Sequence, residues 1–263
     1  MSLDFTLEKY AQLCETIRRL SCPVMTVKKF LGAGQPQNFV VVLRHDVDRA
    51  LPSAIRMANL EAAYGIYATY YMRTTRAVFR PLEIRHLSQL GHEIGYHYEV
   101  LARAKGDTQQ AIAMFEGELE QFRQIVPVDT ISMHGSPLTP WDNLDLWRTY
   151  DFKDYGLMGE AYLSINYSNL YYFTDTGRTW DAGRYNLRDR AASLKPSRKV
   201  ITTDDLISFL AETCDSPVII NAHPNRWATN WFVWGIGTVS DWTINQVKWV
   251  VSLIHQRHPG ARE

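Results

Sequence analysis

The 263-residue chain is predicted to be one α/β domain built on a parallel sheet with crossover helices, either open or closed into a barrel. Three observations carry that prediction. Short β-branched and aromatic runs alternate with segments of helical periodicity along most of the chain. The first such run, Phe39 to Leu43, is apolar without a break, as in a strand covered on both faces. Finally, 46% hydrophobic residues over this length can fill one large core, and no linker, repeat or low-complexity segment divides it.

The elements follow in order. Tyr10, Leu13, Ile17 and Leu20 recur at helical spacing behind a candidate cap at Thr6, so a helical extension over about residues 1–35 precedes the first strand. Phe39 to Leu43 then runs into LRHDVD, its carboxyl end. Pro52 marks a first helical turn, with Ile55, Ala58 and Ala62 on one face and Gly65 as the stop. IYATYYMR (66–73) reads as strand, PLEIRHLSQLG (81–91) as helix and HEIGYHYEV (92–100) as strand. Asp107 and Gln110 form a capping box for a helix whose Ile112, Phe115, Leu119 and Phe122 share a face, and TISMHG (130–135) is the strand after it. Beyond Pro137 the pattern loosens to a short helix near Asn143 to Tyr150 and strands at 161–165 and 170–174. Thr203 is read as the cap of a helix through Leu210, and PVIINAHP (217–224) as a buried strand. Thr243 and Gln246 cap a last helix with Val247, Val250 and Ile254 inward.

Composition excludes some partners. Lysine plus arginine and aspartate plus glutamate stand at 28 each, so no net field favours nucleic acid or an anionic membrane. No run of eighteen apolar residues offers a membrane span, and MSLDFTLEKY lacks the pattern of a secretory signal, so a soluble, cytoplasmic protein is expected. Cys14, Cys22 and Cys214 lack metal-ligand spacing and read as reduced, buried thiols. Asn166-Tyr167-Ser168 is read as a chance match to a glycosylation acceptor. LGAGQPQ precedes its strand, so the dinucleotide fingerprint fails; no P-loop or G-x-S-x-G elbow occurs.

In parallel α/β folds chemistry gathers at the carboxyl ends of the strands. Here those ends carry Asp46 and Asp48, His97 and Glu99, His134, Asp175 and His223. Residues two apart in a strand share a face, so Asp46 points with Asp48, and His97 with Glu99. Two carboxylates held together repel unless a proton or cation lies between them. A divalent ion removes the conflict, and mixed imidazole and carboxylate ligands suit zinc or another late first-row metal. His45 points away from Asp46 and His92 opens its strand, so both read as structural; helix positions account for His86, His255 and His258.

RHDVD, GHEIGYHYE, the MHG turn and INAHP, in this order, resemble the motifs of the polysaccharide deacetylases, metal-dependent carbohydrate esterases of family 4 type, over roughly residues 39–224. The resemblance implies a distorted or incomplete (β/α) barrel of about seven parallel strands. It also implies a hydrolase that removes an N-acyl group, expected to be acetyl, from a sugar or glycan precursor. Asp46 matches the catalytic base, Asp48 and His97 match metal ligands, and His223 matches the general acid. Leu101 stands where the family carries its second histidine, His134 stands where it usually carries arginine, and TDTGRTWDAG has no clear counterpart, which indicates a divergent branch. The third ligand must then come from elsewhere. His134 is preferred over Glu99, which otherwise serves substrate or stands behind the His97 ring. Arg178 and Arg226 could hold an anionic group of the substrate, and Trp227 could stack on a sugar. Two other functions remain open: a catalytically weak relative that binds a glycan or partner, made plausible by Leu101, and an amidohydrolase or deformylase acting on a non-sugar substrate.

Overall fold

The computed structural model describes residues 3–136, 139–180, 193–194, 196, 198–212, 215–229 and 234–235. The leading helix α1 (Leu7–Arg19) starts where its cap predicts, with the Thr6 side chain accepting from the Lys9 N–H at 3.2 Å and Tyr10, Leu13 and Ile17 buried. The N-terminal extension also contributes a two-residue strand, β1 (Val24–Met25), and a second helix, α2 (Val27–Gly32). The barrel strands are β2 (Val41–Val47), β3 (Thr69–Met72), β4 (Glu93–Tyr98), β5 (Thr130–Met133), β6 (Gly159–Glu160), β7 (Tyr171–Thr174) and β8 (Val218–Ala222). Between them lie α3 (Leu51–Ala63), α4 (Pro81–Gln89), α5 (Val100–Arg103), α6 (Thr108–Arg123) and α7 (Thr203–Glu212).

All the ladders are parallel, and the seven barrel strands lie in the order β6-β5-β4-β3-β2-β8-β7, with β1 paired to β2 off this path. Followed from β7 through β8 and β2 to β6, that order is sequential around a ring. The chain is therefore wound as a (β/α) barrel and left open between β6 and β7. This is the incomplete barrel of about seven strands that the sequence implies.

Strand alternation divides the core in two. Val41, Leu43 and Val47 face outward into the larger cluster with the helices, whereas Val42 faces inward with Tyr71 and Ile219. Arg44, Asp46 and Asp48 continue the inward column. The amino end of the barrel is closed by α2: Val27 N–H donates to Thr69 Oγ1 at 2.8 Å and Lys28 N–H to Glu93 Oε2 at 2.9 Å, both on first residues of strands. Among the described residues this leaves the carboxyl end for chemistry. Gly95 faces inward, and a Cβ there would lie 2.3 Å from the Tyr71 ring and 3.0 Å from the Thr130 carbonyl oxygen, so glycine is what admits Tyr71 to the interior.

Four local expectations are revised. In α3 the buried stripe is Leu51, Ala54, Met57, Ala58 and Glu61, rotated from the one predicted because Glu61 points inward to a buried polar cluster. There Glu61 Oε1 pairs with His45 Nε2 at 2.6 Å and accepts from the Tyr10 hydroxyl, and Oε2 accepts from Tyr70 at 2.8 Å. Second, β4 ends at Tyr98, and Val100 begins α5. Third, residues 161–165 form turns instead of a strand, because Glu160 Oε2 takes the Tyr162 and Leu163 N–H groups at 2.6 and 2.9 Å. Ala161, Ile165, Tyr167 and Leu170 then fill the barrel opening from its side. Fourth, Thr202 and not Thr203 caps α7, its Oγ1 accepting from the Asp205 N–H at 3.1 Å. Cys214, the predicted helix behind Thr243, Trp231, Trp242, Trp249, His255 and His258 lie outside the described residues. Among the described residues no helix is long and apolar enough to cross a membrane.

Candidate active site

Asp46 and Asp48, adjacent in the inward column, have opposite surroundings. Asp46 is only 3% exposed and fully partnered: Arg44 Nη2 donates to Oδ1 at 2.8 Å and to Oδ2 at 2.9 Å, and Asn221 Nδ2 donates to Oδ2 at 3.0 Å. Burial opposes its charge, but the Arg44 guanidinium together with the His97 and His223 rings outweighs burial and holds the carboxyl down to about 2. Arg44 is itself fixed by Ser132 Oγ at 2.7 Å and lies between the Tyr71 and Tyr162 rings, 5.0 and 4.9 Å from their centroids. Neither Arg44 nor Asn221 was singled out from the sequence. The signal was there, since residues 44 and 46 share one face of β2 and 221 stands in β8 two residues before His223.

Asp48 lacks such partners. Its Oδ1 is buried with no hydrogen bond, yet His97 Nε2 lies 3.4 Å and His134 Nε2 3.6 Å away. The far nitrogen of each ring is engaged: His97 Nδ1 is 2.9 Å from the Ser132 carbonyl oxygen, and His134 Nδ1 is 3.0 Å from Glu99 Oε2 and 3.1 Å from Ser136 Oγ. A carbonyl only accepts, so His97 must donate from Nδ1, and its Nε2 faces a carboxylate oxygen. For neutral His97, two lone pairs then meet. Proton uptake by the ring or a cation removes the conflict, and burial, which would lower the His97 pKa, is overcome by Asp46 and Asp48, so that it is raised. Asp48 is held well below the usual carboxylate range, against burial, by the His97 and His134 rings.

The donor types, imidazole with carboxylate, are ones a divalent ion takes. Two atoms each about 2.1 Å from a tetrahedral ion stand roughly 3.4 Å apart, close to the Asp48–imidazole separations. As the side chains stand, no group of three or more His, Cys, Asp or Glu among the described residues is placed to hold a metal ion; the two rings converge on Asp48 Oδ1. Leu101, where the resemblance leads one to expect a histidine, is in α5 and buried in the outer core at 4% exposure.

Glu99 departs from its expected place. As the residue before α5 it has φ −143° and ψ 28°, outside the strand, so it does not share the His97 face. It contacts His134 instead, and its Oε1 accepts from Arg73 Nη2 at 2.5 Å. Burial opposes its ionisation, but His134 and Arg73 hold it down to about 2.

At the other side of the site Asp175, fully buried after β7, gathers four donors from three residues. Oδ1 lies 2.7 Å from His223 Nδ1 and 2.5 Å from Arg226 Nη1, and Oδ2 accepts from the His223 N–H at 2.9 Å and Trp227 Nε1 at 3.0 Å. Burial is outweighed by Arg226 and then His223, so Asp175 is lowered. Two expectations change accordingly. Arg226 is bound to Asp175 instead of awaiting an anion. Trp227 is 1% exposed and packs on Phe5, Tyr10 and Trp180, so its ring cannot stack on a sugar. Arg178 lies in the turn after Asp175, at φ 55°, its N–H donating to the Asp175 carbonyl at 3.0 Å. His45 and His92 are structural as expected, His92 Nε2 lying 3.0 Å from the Ala58 carbonyl oxygen.

No protein-family model and no curated protein matches the chain. Solved structures similar to it include the following two. One is the Xyl-CE4 domain of a multidomain xylanase from the hindgut metagenome of Trinervitermes trinervoides, at 12% identity over 84% of this chain and 85% of that one, with a TM-score of 0.39. The other is a Mycobacterium smegmatis protein provisionally named a polysaccharide deacetylase, at 13% identity over 81% and 84% of the two chains, also with a TM-score of 0.39.

Proposed function

We propose that this protein is a metal-dependent hydrolase that removes an N-acyl group, acetyl in the first instance, from a sugar or glycan precursor. The observation that carries the reading is the buried, unpartnered Asp48 Oδ1 facing two imidazole nitrogens whose opposite nitrogens are already engaged. Asp48, His97 and His134 would hold the ion, with zinc the best match to that donor set. When bound, such an ion polarises an acyl oxygen and lowers the pKa of water.

The chain's own groups supply the proton transfers. Asp46, kept ionised and oriented by Arg44 and Asn221, accepts the proton of the water that adds to the acyl carbon. Its low pKa limits its strength as a base, so orientation and constant availability are its contribution. His223, when doubly protonated and with its Nδ1–H held by Asp175, gives its Nε2 proton to the departing nitrogen as the carbon–nitrogen bond breaks. The products are a carboxylate and an amine. Arg178, close after Asp175, is the side chain we assign to an anionic group on the substrate.

The test is metal analysis of purified protein together with acetate release from N-acetylated sugars. About one equivalent of zinc, loss of turnover with chelator and its return on adding zinc are expected. Asp46→Asn should retain the metal and lose roughly two to four orders of magnitude in turnover. Zinc binding without hydrolysis of any N-acyl sugar would favour the glycan-binding reading, and release of formate alone the deformylase.

A further inference from the structure

We infer that Arg73 and Glu99 form a positioning pair that fixes the tautomer of His134, so that this ring can complete the site from β5 in place of the side chain lost at Leu101. The inference deepens the proposed function and rests on it for its consequence, though the hydrogen-bond argument stands on geometry alone.

Arg73 follows β3, between the strands that lead to Asp48 and Glu99. Its Nη2 donates to Glu99 Oε1 at 2.5 Å and its Nη1 to the Asp48 carbonyl oxygen at 3.4 Å. One guanidinium therefore ties the backbone that carries Asp48 to the carboxylate that contacts His134. That carboxylate, paired with Arg73, can only accept, so at 3.0 Å from His134 Nδ1 it favours a proton on Nδ1 over a lone pair facing it. Nε2 is then bare, and it is the nitrogen 3.6 Å from Asp48 Oδ1.

A competitor stands at the same nitrogen. Ser136 Oγ is 3.1 Å from Nδ1, within donating reach of it, and accepts from Asn143 Nδ2 at 3.4 Å. Were Ser136 to win, the ring proton would move to Nε2 and point at Asp48, and His134 could not ligate. Glu99 decides between the two tautomers, and Arg73 keeps Glu99 in place. Outer partners of this kind are known to set imidazole orientation and basicity.

The experiment follows the ring nitrogens of His134 by long-range ¹H–¹⁵N correlation in metal-free protein, above the imidazole's titration range. The parent and Ser136→Ala should both show the proton on Nδ1. Glu99→Gln, whose amide can donate to Nδ1, should move it to Nε2, and Arg73→Met should give a mixture that Arg73→Lys partly restores. Zinc competition should show affinity lower by about 10- to 100-fold in Glu99→Gln and Arg73→Met. An unchanged tautomer in folded Glu99→Gln, or a switch in Ser136→Ala, overturns the inference. The two readings fail separately: a parent that binds no zinc but shows the tautomer switch removes the proposed function and keeps the pair, whereas zinc binding with no switch does the reverse.

Discussion

Replacing Arg44 with methionine probes the clamp beneath the proposed base, and its size can be worked out from the pair. Arg44 and Asp46 are both buried, and removing one member of such a pair typically costs about 3–5 kcal/mol because the other charge is stranded. The depression of Asp46 from 3.8 to about 2 shows the charged form favoured by roughly 2–3 kcal/mol net of burial, at about 1.4 kcal/mol per unit. A double-mutant cycle with Asp46→Asn isolates the pair: Arg44→Met should cost about 3–5 kcal/mol alone and about 2 kcal/mol less beside Asp46→Asn. Denaturant unfolding with a chelator present measures all four corners. Because the folded-state pKa is depressed, the coupling is fully present above 3.8 and disappears as pH falls through about 2. Additivity within about 0.5 kcal/mol would refute the clamp and leave Arg44 as a filler between Tyr71 and Tyr162.

Gly95→Ala should destabilise by about 1–3 kcal/mol, because the new methyl overlaps the Tyr71 ring on which Arg44 rests; a thermal midpoint equal to the parent's would mean that Tyr71 moves aside freely. Glu61→Gln should cost about 3–5 kcal/mol at neutral pH by removing the charge that His45, Tyr10 and Tyr70 surround. Glu61 is lowered, so its contribution is fully present above 4.5 and is lost as pH falls from there through its lower folded-state value; urea titrations should show the deficit shrinking in acid, and a pH-independent deficit would contradict the assignment. Trp227→Phe removes a donor to Asp175 and should cost about 1–3 kcal/mol and lower kcat with KM unchanged; a rise in KM alone would return the indole to the substrate.

The fold was legible because apolar runs and helix signals obey local rules. Thr6 and Asp107 cap the helices they were assigned to, and the strand ends at Asp46, His97, His134 and His223 all fall at one mouth of the barrel. What failed locally had a partner far away. Glu61 turns α3 by one position because His45 and Tyr70 await its carboxylate, and Glu160 replaces a strand with turns by taking two main-chain donors of its own segment. A hydropathy pattern cannot distinguish a charged residue facing solvent from one facing a buried partner, so these two were invisible to it.

The site was less legible than the fold because face alternation holds only inside a strand. It groups Arg44 with Asp46 and Asp48 and would have found the clamp if applied one step earlier. It groups His97 with Glu99 wrongly, since β4 ends at Tyr98 and the backbone turns into α5 at Glu99. That same turn sends Leu101 into the outer core, so restoring a histidine at 101 would place an imidazole among apolar side chains unless α5 shifted. The substitution at 101 and the carboxylate at 99 thus belong together: with no imidazole coming from α5, the residue at its start reaches the next strand's histidine instead. On this argument Leu101→His alone should not rescue metal binding in His134→Ala protein, and zinc competition on the double variant decides it. Recovery of parental affinity would mean that α5 rearranges readily and that His134 is dispensable.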